Sequence, residues 1–337
     1  MKYNERRGIK PSAPICSRCE PTWGGDSVLA RYIARRLLSG VLTIWIIVTL
    51  TFVMMHAVPG DPFTQEKQLP EAVLANIRAR YHLDDPLWKQ YVDYLGNIVR
   101  WDLGPSFRYA TRSVNDIINK SFPVSAQLGS TALIVSLMIG VPLGIVSSLY
   151  RNKWPDNLVT GLTTIGISQP SFIIATLLQY FLAVKLKLLP VALWQDVDTW
   201  KYMVMPVIAL SFLPAAYFAR LVRSSMLEII NQDFVRTARA KGLPRLTIIV
   251  KHALRNAILP LVTVLGPLTA GILTGSLVVE RIFAIPGLGG DFVTSISNRD
   301  YTVIMGVTVF YSILIVSFNL VVDILYVFVD PRIKIAD

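Results

Sequence analysis

The chain has 337 residues, a mean hydropathy of +0.50, 53% hydrophobic residues and only 16% charged ones, against about 25% charge in an ordinary soluble domain. This composition excludes a pair of plain soluble domains and points to a membrane protein. The formal charge of +11 then needs no nucleic acid as partner, because basic residues flanking apolar spans are what membrane topology requires.

In chain order, residues 1–30 are polar and rich in Pro and Gly and read as a disordered cytoplasmic tail. Its Cys16 and Cys19 form a lone CxxC with no second Cys/His pair nearby, so incidental thiols are expected rather than a metal site. No cleavable signal peptide is expected, since the first apolar run begins at Leu37. Arg31, Arg35 and Arg36 precede that run, which continues to Met55. About 20 apolar residues cross a hydrocarbon core of roughly 30 Å, so the run is a spanning helix. Two prolines and a glycine in Val58-Pro-Gly-Asp-Pro62 stop it.

Residues 61–123 balance eight acidic against eight basic residues and carry interspersed Tyr and Trp. Leu69 to Tyr81 and Leu87 to Val99 have apolar residues at i, i+3 and i+4 and predict short amphipathic helices outside the membrane. Five further spans follow at roughly 124–149, 158–184, 203–222, 258–279 and 304–329. Six spans put both termini on one side. With the N-terminus cytoplasmic, the tail, residues 150–157, residues 220–257 and the C-terminus hold twenty Lys and Arg, against five in the short outside loops. That asymmetry orients the chain, because long translocated segments such as 61–123 count little. No internal repeat is visible, so residues 31–334 read as one membrane domain.

Between the fourth and fifth spans lies the longest polar interruption of the C-terminal half, centred on Asp233-Phe-Val-Arg-Thr-Ala-Arg-Ala-Lys-Gly-Leu-Pro244. Ser225 to Ala240 predicts a helix. Gly242 is placed to end it in the left-handed conformation, and Pro244 to open the first turn of another. Residues 225–257 thus form a helix–turn–helix hairpin. Leu246, Val250, Ala253 and Ala257 fall on one stripe of the second helix, with Arg245, Lys251, His252 and Arg255 opposite. Two uses are open on physical grounds: a basic helix lying on anionic headgroups, or a lever that offers its turn to a soluble protein. The small residues Ala238, Ala240 and Gly242 favour docking.

Arg236-Thr-Ala-Arg-Ala-Lys-Gly-Leu243 followed by His252-Ala-Leu-Arg-Asn-Ala-Ile-Leu-Pro260 resembles the "EAA" loop of ABC-importer permeases, in the branch that carries peptides and nickel. Arg236-Thr-Ala238 stands where the general pattern has Glu-Ala-Ala, and fifteen residues separate Gly242 from Ile258. Further matches are spread over residues 31–334: Pro59-Gly-Asp-Pro62, Asp102-Leu-Gly-Pro-Ser-Phe107, Pro170-Ser-Phe172, Glu280-Arg-Ile-Phe-Ala-Ile-Pro-Gly-Leu-Gly289, Asn298-Arg-Asp-Tyr301 and Asp330-Pro-Arg332. Within the branch, Gly104-Pro-Ser-Phe107, Ser113-Val-Asn-Asp116 and Ser121-Phe-Pro-Val-Ser125 resemble the first membrane subunit of oligopeptide permeases.

The resemblance implies an all-α, six-span bundle of the ABC type I permease kind in a bacterial cytoplasmic (inner) membrane. It implies pairing with a second homologous permease, two cytoplasmic ABC ATPases and an extracytoplasmic peptide-binding protein. Arg236, Thr237, Ala238, Arg239, Ala240, Lys241 and Gly242 would couple to an ATPase. No cofactor is expected in this chain, with ATP and Mg in the partner subunits.

Asp323, the acidic residue deep in the sixth span, is a functional candidate by location, though pairing with a neighbour's cation explains it as well. Ser168, Gln169 and Ser171, around Pro170, would line a translocation path or satisfy carbonyls freed by the proline. His56 would make an interfacial hydrogen bond. Gly287 and Gly289 belong to an outside turn. The chain lacks GxxxxGK[ST], HExxH and GxSxG, so no ATPase, zinc protease or hydrolase chemistry is expected. A dipeptide or nickel permease is the near alternative. An ion-gradient-driven carrier is disfavoured by a single intramembrane acid, the missing repeats and the hairpin. A membrane scaffold explains the hairpin less well.

Overall fold

The computed structural model describes residues 25–57, 84–109, 111–194, 199–275 and 277–329, and among these every regular element is a helix. Helix α1 (Gly25–Ala57) begins inside the segment expected to be tail. Residues 1–24, the Leu69–Tyr81 helix, and the Pro59–Pro62 and Asp330–Arg332 motifs lie outside the described residues.

Among the described residues, five segments are long and apolar enough to cross a membrane: Ile33–Ala57, Val114–Leu149, Thr199–Ile230, Leu259–Ile282 and Tyr301–Ile324. The sixth expected span is two helices, Trp154–Ser168 and Ser171–Lys185, bent by 102°. Its cause is local. Gln169 precedes a proline and is driven to extended backbone (φ −97°, ψ 124°), and Pro170 (φ −60°, ψ 141°) has no N–H to continue the ladder.

Outside the spans, α2 (Leu87–Val99) occupies the residues predicted for it. It leans on the end of α1: Thr49 Oγ1 lies 2.6 Å from the Tyr91 hydroxyl, and His56 Nε2 3.2 Å from Gln90 Oε1. Phe52 packs against the rings of Tyr91 and Tyr94. Burial raises the Tyr94 phenol above its usual range, and the Asp85 carboxylate raises the Lys89 ammonium beside it.

Helix α3 (Val114–Leu149) starts ten residues before the expected span. A reciprocal cap explains this: Ser113 Oγ accepts from Asp116 N, and the Asp116 carboxylate accepts from Ser113 N at 3.0 Å. Pro123, the last residue of the expected extramembrane segment, is carried within the helix. Helix α4 (Trp154–Ser168) leads to α5 (Ser171–Leu178), which closes in a π-turn, Gln179–Lys185. Helix α6 (Thr199–Ile230) follows and is the most enclosed of the spans.

Small residues set how closely these helices pack. Ser136, Gly140, Gly144 and Ser148 repeat every fourth residue on the buried face of α3. A Cβ at Gly140 would stand 2.5 Å from Ala215 O of α6, and one at Gly144 2.6 Å from Ala219 O. With lipid as apolar as the side chains, such close backbone approach is what holds membrane helices together. Gly166 of α4 faces Ala216 of α6 in the same way.

The hairpin follows α6, comprising α7 (Asp233–Ala240) and α8, whose α-helical ends Arg245–Thr247 and Arg255–Ala257 enclose a π-segment Ile248–Leu254. Helix α9 (Leu259–Leu273) re-enters the bundle and breaks at Gly275 (φ +89°) before α10 (Leu277–Ile282). Helix α11 (Leu288–Ser297) precedes the last span, α12 (Tyr301–Val329), which packs on α1 with Gly40 against Val316.

Candidate functional site

The hairpin is built as a projecting tip. Asn231 and Gln232 break the helix predicted from Ser225, so α6 and α7 are separate. The end of α7 is a Schellman turn: Gly242 (φ +75°) donates to Arg239 O at 2.9 Å and Leu243 to Ala238 O at 3.4 Å. Arg236, Thr237, Arg239, Ala240, Lys241 and Gly242 are exposed. Ala238 is not. It is 6% exposed and packs with Val235 and Ile248 into the hairpin's own small core, so it does not belong to the docking surface expected of it.

The second helix also departs from its predicted stripe. Leu246 and Val250 are 72% and 53% exposed, while Ile248, Ala253 and Ala257 are buried. The π-segment advances the chain by more residues per turn, so the inward face runs 248, 253, 257 rather than on a 3.6 period. A cavity of about 540 Å³ lies between the hairpin and the ends of α3 and α6, lined by Leu149, Ile230, Arg239, Leu243 and Ala253 among others.

Beside the root of the hairpin, an ion pair between a buried aspartate and a half-buried arginine joins three helices. Arg223 of α6 holds Asp156 of α4 in a two-pronged contact at 2.6 and 2.9 Å. Ser147 of α3 donates to the same carboxylate at 2.5 Å and Asn152 N at 2.8 Å. Asp156 is 2% exposed. The lock fixes α4 and the end of α3 to the part of α6 that carries the hairpin.

The far side holds two more buried carboxylates. Glu280 of α10, 0% exposed, sits over the N-terminus of α11. It accepts from Ser125 Oγ at 2.8 Å and Gly290 N at 3.2 Å, and Ser125 in turn accepts from Leu288 N at 2.9 Å. A Cβ at Gly287 would lie 2.5 Å from this carboxylate, and one at Gly289 2.8 Å, which is why the turn is Pro-Gly-Leu-Gly. Asp300 accepts from Ser106 Oγ, Phe107 N and Thr302 Oγ1. It thereby joins the Gly104–Phe107 and Asn298–Tyr301 motifs, which lie far apart in sequence. Between them a cavity of about 210 Å³ is lined by Arg112, Asp116, Lys120, Asp291 and Asn298, among others.

Asp323 is paired with Arg36 of α1 at 3.0 Å and lies on the α1–α12 contact. It is not brought together with Ser168, Gln169 and Ser171, which sit at the bend between α4 and α5. Glu280 and Asp156 correct the reading of a single intramembrane acid. The predicted fifth span ends one residue short of Glu280, and Asp156 falls in the predicted 150–157 loop. The side chains that reach them from distant helices, Arg223 for Asp156 and Ser125 for Glu280, are far away in sequence, so no local pattern marks the pairings.

Among the described residues, six span-length apolar segments, one of them broken, with a basic hairpin projecting from the most enclosed helix, define a polytopic membrane protein. Comparison with known proteins places the chain in a family: it belongs to the binding-protein-dependent transport system inner membrane components, whose model matches residues 140–335, with the family's N-terminal model matching residues 29–129. The dipeptide transport system permease protein DppB of Bacillus subtilis is 51% identical over 91% of this chain and 99% of its own length. The oligopeptide transport system permease protein OppB of Escherichia coli K12 is 44% identical over 91% and 100%. A chain of the MetNI methionine ABC transporter, solved in inward-facing conformations, superposes with a TM-score of 0.53 at 19% identity, over 64% of this chain and 96% of that one. It shares the fold.

Proposed function

We propose that this chain is a permease subunit of an ATP-driven importer that moves oligopeptides across the bacterial cytoplasmic membrane. The observation that carries the reading is the hairpin, a folded basic tip held outside the bundle by its own core and joined directly to the most enclosed helix. A carrier that drew its energy from an ion gradient would have no use for such an element. The family and the names of the relatives at 44% and 51% identity support peptide as cargo.

The hairpin side is cytoplasmic by the distribution of Lys and Arg. Arg236, Thr237, Arg239, Ala240, Lys241 and Gly242 there meet one of two ATPase subunits, and a second homologous permease completes the pore. ATP and Mg are bound by the ATPases. An extracytoplasmic peptide-binding protein delivers cargo to the face that carries Asp300 and Glu280. Closure of the ATPases pulls the tip, and the Asp156–Arg223 lock passes the displacement to α3 and α4, so one access state is favoured over the other. The 51% identity to a dipeptide permease favours a second reading in which the cargo is two residues long.

Co-purification tests this assignment. The tagged chain expressed with its ATPases retains them on an affinity column. An Ala240→Trp variant, whose bulk is added on the exposed tip, inserts in the membrane and loses them. Retention of the ATPases by that variant would exclude the hairpin as the contact.

A further inference from the structure

Helix α4 has three faces, not two. Asp156, Val159, Thr163 and Gly166 are buried against the bundle. Leu158, Leu162 and Ile165 are 50%, 49% and 55% exposed and suit lipid. A separate exposed stripe is polar or bare: Asn157, Thr160, Gly161, Thr164 and Ser168. At about 100° per residue it lies roughly a third of a turn from the apolar stripe. Gly161 has open space where a Cβ would be, so among the described residues nothing covers the stripe there.

The neighbouring face of α6 continues it with Tyr217, Arg220 and Ser224, all exposed. Arg220 donates to Thr164 Oγ1 at 3.2 Å, and no described carboxylate lies within ion-pair distance of it. Its direction is informative. Gly166 packs on Ala216, so Thr164 is roughly level with Phe218 in this antiparallel pair. To reach Thr164 the Arg220 side chain extends away from the hairpin side, whereas Arg223, one turn further on, reaches back toward it to Asp156. An arginine at a membrane surface normally snorkels toward the nearer interface. This one points inward.

Thr164 and Ser168 spend their hydroxyl protons on the carbonyls of Thr160 and Thr164, at 2.8 Å each, and turn their lone pairs outward. One turn further, the span breaks at Gln169-Pro170. Irregular backbone and polar groups at membrane depth occur where they line a path or are buried in protein, and a charge facing lipid is costly.

We propose that Arg220, positioned by Thr164, receives a carboxylate of the translocating peptide on this stripe. The proposal rests on the peptide-import reading and names the group that is read. A guanidinium is suited to it, because its fixed fork of donors matches a carboxylate.

Uptake by proteoliposomes holding the whole complex tests it. Three labelled peptides of equal length are compared under ATP: a free acid with neutral side chains, its C-terminal amide, and that amide with one Glu side chain. The wild type takes up the free acid faster than the amide. In Arg220→Gln the free-acid to amide ratio falls about tenfold, the scale of one charge-assisted hydrogen bond. Because the same binding protein serves both complexes, its own selectivity cancels in that comparison. Arg220→Lys, which keeps the charge, retains part of the ratio. Recovery of uptake by the Glu-bearing amide in the wild type alone shows that any carboxylate is read; no recovery assigns the site to the peptide C-terminus. An unchanged ratio in Arg220→Gln, or an equal loss of both peptides as expected of a contact with the second permease, overturns the proposal while leaving the importer reading intact. Failure of the wild type to import any of the three overturns both.

Discussion

Glu280 and Asp156 differ in how a buried carboxylate is made tolerable. Among the described residues no cation pairs with Glu280; Ser125 Oγ and the Gly290 N–H at the start of α11 supply its hydrogen bonds. Removing it leaves those donors buried without an acceptor, which costs about 1–3 kcal/mol. Glu280→Ala is therefore expected to lower the melting temperature of the purified protein by several degrees, and Gly287→Ala to do the same by forcing a Cβ against the carboxylate. A melting temperature equal to the wild type in Glu280→Ala would mean that α11 is not held this way. Asp156 instead has Arg223, and breaking one side of such a pair is worse than removing both. In a double-mutant cycle, Asp156→Asn with Arg223→Gln should be no less stable than the poorer single variant. The expected coupling is about 0.5–3 kcal/mol, and strict additivity would contradict the lock.

At the level of elements, the hairpin depends on one backbone conformation. Gly242 holds φ at +75°, which costs other residues roughly 1–2 kcal/mol and which proline cannot adopt. Gly242→Ala should keep ATP-driven uptake at a reduced level, and Gly242→Pro should abolish it while the chain still inserts in the membrane. Uptake at the wild-type level in Gly242→Pro would rule out a coupling role for the turn. Ala238→Arg should also fail, but by opening the Val235–Ala238–Ile248 core rather than by blocking a surface. Much of this was legible beforehand. Hydropathy marks spans whose length the bilayer sets, and Gly and Pro mark a turn whose dihedrals only they suit. The π-segment was not, because Ile248–Leu254 has no residue type that announces an extra residue per turn; the exposed Leu246 and buried Ile248 follow from it. Nor was the bend at Pro170 readable as a break. Pro123, Pro142, Pro206, Pro214 and Pro267 lie inside helices of the same protein without stopping them. The Arg220–Thr164 contact and the three-faced α4 need tertiary register, which no single segment contains.

For the molecule as a whole, the proposed orientation rests on the distribution of basic residues. A cysteine introduced at Lys241 should be labelled by a membrane-impermeant reagent only from the cytoplasmic side, and one at Arg299 only from outside; the reverse pattern would invert the orientation. In the proposed mechanism the hairpin, the Asp156–Arg223 lock and the broken span form one line from an ATPase contact to the polar stripe. The most direct test of that line is peptide uptake by proteoliposomes containing the complete complex, with Ala240→Trp set beside the wild type. Accumulation of peptide only when ATP reaches the hairpin side, and at least a tenfold loss in the variant, is the predicted result. Full uptake by the variant, or ATP-independent uptake by the permease without its ATPases, would contradict it.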